Sequence, residues 1–139
     1  MTATTTHPSG TRAVIDTDPM ARALTLDAIV SGAAGVALLA GSGLLAEPLG
    51  ISTPWLIGLG AFMALYAVDL RLLATRLPRL WGIARLIPPG NAGWVLASLA
   101  AVALRAWELT GLGTAVVLGQ AAIVAVLVVV QARAVRAAA

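Results

Sequence analysis

The chain has 139 residues, 60% of them hydrophobic and 11% charged, against about 25% charged in an average soluble domain. So small a protein has too much surface for its volume to hide that apolar fraction from water, which excludes a soluble globular fold and makes a bilayer the natural solvent. The net charge of +3 rests on nine basic residues, all arginine, which bracket apolar runs instead of forming one dense patch; this excludes a nucleic-acid partner and matches the membrane pattern.

The chain has no cysteine, so disulfides, thiol redox chemistry and thiolate metal sites are excluded. The single histidine, His7, stands in the polar N-terminal stretch and leaves no ligand for an intramembrane haem. No cofactor and no metal are expected.

Residues 1–22 are Thr-rich and polar, with Asp16, Asp18 and Pro19, and read as a disordered cytoplasmic tail. Nothing before Met20 is expected to contribute to the fold. No basic stretch precedes a short apolar run with a cleavage site, so this segment is not read as a signal peptide.

Four uncharged runs follow in residues 23–136: Ala28–Ala46, Pro48–Val68, Leu86–Leu104 and Leu109–Ala132. Each is close to the ~20 residues that a helix needs to cross a hydrocarbon core. They predict an all-α membrane protein with four transmembrane helices over about 24–46, 54–75, 90–109 and 112–135. Short connectors, "EPLGISTPW" and "ELTGLGT", make helices 1–2 and 3–4 antiparallel hairpins. In the first connector Thr53 is expected to cap helix 2, with Pro54 at its first position.

The middle connector holds Arg71, Arg76, Arg79 and Arg85, and its "LPRLWGIARLI" part is expected to lie in the interface with Trp81 at headgroup level. With Arg12, Arg22, Arg133 and Arg136, eight of the nine arginines fall on one side of the threaded chain. That places both termini and the middle loop in the cytoplasm of a bacterial plasma (inner) membrane, crossed several times.

In this threading Asp27 and Ser31 on helix 1, Tyr66 and Asp69 on helix 2, Asn91, Trp94 and Ser98 on helix 3, and Gln131 on helix 4 gather at the cytoplasmic boundary as a polar collar. One reading makes it a shallow pocket with Asp27 and Asp69 as paired carboxylates, since an ionisable group inside a membrane is a functional hypothesis by default. The other makes both carboxylates wet interfacial groups, paired with Arg22, Arg71 or Arg133. Asn91, following Pro88-Pro89-Gly90, is expected to cap helix 3, its side-chain oxygen taking the N–H of Gly93 or Trp94. Arg105 and Glu108 are expected to pair on one face of the outer end of helix 3.

Gln120 is the deepest polar residue of helix 4 and is expected to hydrogen-bond across helices or to mark a dimer contact. The glycine-dense stretch Gly32–Gly43, with Gly32 and Gly35, is the expected helix-contact face. No phosphate-binding loop, nucleophile elbow or metallohydrolase motif occurs, so no catalytic residue is assigned and an enzyme is not expected.

The stretches "LTLDAIVSGAAGVALL", "GNAGWVLAS" and "TAVVLGQAAIVA", the second above all for Asn91, Trp94, Val95 and Ser98, resemble a group of small four-helix integral membrane proteins common in actinobacteria. The resemblance covers about residues 22–136 and implies a class, with no activity to carry over. Three functions are compatible with these residues. The first is a structural or accessory protein that binds a second copy or other membrane subunits in the bilayer. The second is a small proton-coupled transporter or channel-like protein using the cytoplasmic-side carboxylates. The third is a membrane enzyme or lipid-binding module.

Overall fold

The computed structural model describes residues 18–138 as an all-α chain of five helices. They are α1 (Pro19–Leu49), α2 (Thr53–Thr75), α3 (Leu77–Ala84), α4 (Ile87–Ala103) and α5 (Gly111–Ala137). The sequence-predicted tail lies mostly outside the described residues, but its last part does not. The carboxylate of Asp18 accepts from the N–H of Met20 and Ala21, and Pro19 occupies the first turn. Helix α1 therefore starts before residue 24, because a proline lacks only an N–H that a first turn leaves unpaired anyway. Met20 itself is buried.

The same chemistry shifts two other starts. Ser52, not Thr53, precedes α2, with no side-chain cap. Helix α4 begins at Ile87, so Pro88 and Pro89 sit in its first turn and do not stop the chain ahead of Asn91. Asn91 is thus one turn inside α4, free of the capping role. At the far end α4 closes at Ala103, and Arg105 adopts a left-handed φ of 52°. Arg105 and Glu108 therefore do not share a helix face as expected.

Helices α1, α2 and α5 are each long and apolar enough to cross a membrane. Helices α3 and α4 pass the same test together, bent by 41° at their short break. The chain thus has three candidate spans, or four if the bent pair counts as one broken span.

Helix α1 runs antiparallel to α2, as the contacts Gly32–Ala67 and Gly35–Ala64 show. A Cβ on Gly35 would stand 2.8 Å from the Ala64 backbone nitrogen, so these backbones pass at a distance only glycine permits. Helix α5 runs antiparallel to α4 and also packs on α1. At one end Met20, Leu24, Leu70, Leu73, Leu77 and Ala134 form an apolar cluster, with Trp81 of α3 packed against it. At the other end α1 meets the start of α5, where Thr110 caps α5 through Gly113 N–H and donates to the Pro48 carbonyl. Helices α2 and α4 are not among the closely packed pairs, and a cleft separates them.

Candidate functional site

All four long helices send a polar side chain to one point. Asn91 Nδ2 donates to Asp27 Oδ2 at 2.7 Å and to Gln131 Oε1 at 3.1 Å. Gln131 Nε2 donates to the same Asp27 oxygen at 2.7 Å. Ser31 Oγ donates to Asp27 Oδ1 at 3.0 Å, from the next turn of α1. Tyr66 OH of α2 closes the set by donating to Asn91 Oδ1 at 2.8 Å. Asp27 is 1% exposed, Asn91 5% and Gln131 0%.

The direction of these bonds is informative. Asp27 Oδ2 accepts from two amide N–H groups, and Oδ1 faces the Ser31 hydroxyl. Every partner is uncharged. A buried carboxylate usually has a cation beside it, because desolvating a lone charge is costly. Arg71, one arginine expected to pair with it, instead donates to Thr25 Oγ1 at 3.5 Å. The expectation of a wet interfacial carboxylate therefore fails for Asp27. Ser31, Asn91 and Gln131 take up its oxygens in place of water.

The expected collar divides into three parts. Asp27, Ser31, Tyr66, Asn91 and Gln131 meet. Trp94 and Ser98 form a second layer with Gln120: Trp94 Nε1 donates to Gln120 Oε1 at 2.9 Å, and Gln120 Nε2 donates to Ser98 Oγ at 2.8 Å. Asp69 belongs to neither layer and is exposed on α2, so no pair of carboxylates forms. Of the two roles expected for Gln120, a bond across helices or a dimer contact, its hydrogen bonds to Trp94 and Ser98 match the first, and Gly32 and Gly35 stand against Ala67 and Ala64 of α2.

The first layer forms one wall of the cleft between α2 and α4, a cavity of about 370 Å³. Asp27, Ser31, Tyr66 and Asn91 line it together with Phe62 and Trp94. The Phe62 and Trp94 rings stack across the cleft at 5.7 Å, and Phe62 stacks on Tyr66 at 6.1 Å. Sequence reasoning missed Phe62. Its signal is the four-residue spacing to Tyr66, which places both rings on one face of α2.

The helix lengths and hydropathy define a small multi-pass membrane protein of all-α fold. Comparison with protein-family models, with curated proteins and with solved structures finds no match.

Proposed function

We propose that this protein binds a small ligand within the bilayer, in the cleft between α2 and α4, and so belongs with the carrier or transporter class rather than with purely structural subunits. In this reading α3 and α4 are one broken crossing, giving four crossings with both termini cytoplasmic in a bacterial inner membrane. Arg79 of α3, with Arg76 and Arg85 at its two ends, then holds the mouth of the cleft at the cytoplasmic surface.

The observation that carries the reading is Asp27. It is a buried carboxyl group with no cationic partner among the described residues, on the wall of a cavity within the ~300–1,000 Å³ range of ligand pockets. A structural polar cluster has no need of a charge at its centre, since an asparagine there would make similar hydrogen bonds at lower desolvation cost. The small-residue contacts of Gly35 and Gly60 are used between α1 and α2, which removes a main support for the accessory reading.

The absence of cysteine provides a clean test. Met63→Cys places a thiol in the cleft, and Leu65→Cys places one on a face 68% exposed, toward lipid. Maleimide reacts with the thiolate, which forms only where water reaches. In nanodiscs Met63→Cys is expected to react at least about tenfold faster than Leu65→Cys. Equal, slow labelling of the two would overturn the reading.

A further inference from the structure

We propose that the occupant of the cleft is an organic monocation, of the tertiary or quaternary ammonium class. The inference rests on the cleft being a ligand site and adds the chemistry of what enters it.

Three observations converge on that class. The first is charge. Asp27 is the acid at the polar centre of the bundle, able to carry a negative charge there, and its partners Ser31, Asn91 and Gln131 are neutral. A cation in the cleft compensates that charge, whereas an anion or a second carboxylate adds to it.

The second is the aromatic lining. Phe62, Tyr66 and Trp94 present three aromatic rings to the same cavity, in a stack that joins α2 to α4. Aromatic faces attract cations, and the attraction grows when the cation is desolvated. Rings grouped beside a carboxylate are the recognition chemistry of an alkylated ammonium, which is too bulky and too weakly hydrated to need a shell of oxygens.

The third is what the cavity lacks for an inorganic ion. Calcium takes six to eight oxygen ligands and magnesium demands octahedral oxygens. Here both Asp27 oxygens are already engaged by side-chain donors, and Met63, Ile87 and Val124 supply much of the remaining lining. The volume of about 370 Å³ admits an organic cation with its substituents and far exceeds a bare ion. Among the described residues no cluster of three or more acidic or histidine side chains is able to hold a metal.

The test uses the full chain in zwitterionic nanodiscs and two probes of the same shape. Benzyltrimethylammonium carries the charge, and neopentylbenzene has carbon in place of nitrogen. Saturating benzyltrimethylammonium is expected to slow maleimide labelling of Met63→Cys at least about tenfold, while neopentylbenzene leaves it unchanged. Adding Asp27→Asn is expected to weaken the protection by the cation at least about tenfold, and Phe62→Leu to weaken it severalfold.

Equal protection by the two probes, or no loss of cation protection with Asp27→Asn, would overturn the proposal in favour of a neutral or lipid occupant. Fast labelling that the cation does not slow also overturns it, and leaves the cleft itself standing. Slow labelling without any probe removes the cleft and the cation together. If Asp27→Asn does not fold, the comparison of the two probes on the Asp27 protein decides the matter alone.

Discussion

Asn91 Nδ2 lies 2.7 Å from Asp27 Oδ2, joining residues 64 positions apart in the chain and tying α4 to α1. The same amide donates to Gln131 and accepts from Tyr66, so one side chain connects all four long helices. Asn91→Leu leaves the Tyr66 hydroxyl and the Gln131 oxygen without this partner and withdraws one of three donors from Asp27. A loss of about 1–3 kcal/mol in stability is expected, measured by unfolding in mixed micelles. An unchanged unfolding curve would show that the network relaxes around the gap.

The second layer is expected to matter less. Gln120→Leu breaks the bonds to Trp94 and Ser98, but both partners are only neutral groups. Interhelical hydrogen bonds between such groups in membranes average about 0.6 kcal/mol. The same unfolding assay should rank Gln120→Leu well below Asn91→Leu. The reverse order would mean that the charge at Asp27 does not set the stakes of the first layer.

Glycine positions divide by what surrounds them. Gly35→Ala pushes a methyl group against the Ala64 and Gly60 backbones, at 2.8 and 2.9 Å, and neither is able to yield without separating α1 from α2. The expected cost is about 1–3 kcal/mol. Gly43→Ala meets nothing within 4 Å and should be neutral or slightly stabilising. Thermal unfolding of the pair in one detergent checks both signs.

Where α1 turns toward α2, a cap and a close approach coincide. Thr110→Val removes the acceptor for Gly113 N–H and the donor to Pro48, with an expected cost of about 1 kcal/mol. Gly113→Ala should cost more, because its new methyl group would overlap the Leu49 carbonyl. Hydrogen exchange at the first turn of α5 is the readout, and faster exchange in both variants is the expected result.

Sidedness is open to direct measurement because the chain has no cysteine. In inside-out vesicles an impermeant maleimide should label Arg79→Cys on α3, and in right-side-out vesicles it should label Leu112→Cys at the start of α5. The opposite pattern would invert the proposed orientation.

The apolar runs, the short connectors and the scattered arginines are local properties, and the sequence by itself determined the all-α membrane class from them. Helix existence was legible for the same reason: a span of sufficient length and hydropathy is read one residue after another. Helix ends were less legible. Proline in a first turn is compatible with a start on either side of it, and Asp18 and Pro88 settled that choice differently from expectation.

Which polar residues meet was a question only the tertiary structure decided. Asp27 and Asp69 look alike in sequence, each at the edge of an apolar run, yet one is buried in a network and the other faces outward. Asp27 lies where α1 meets Asn91 of α4 and Gln131 of α5, whereas Asp69 lies on an exposed position of α2. The cleft likewise follows from which helices pack closely, α1 with α2 and α4 with α5, and not from any stretch of residues taken alone. Side-chain partners far apart in the chain depend on helix rotation and register, and a rotation set by the packing of many small residues is not written in any one of them.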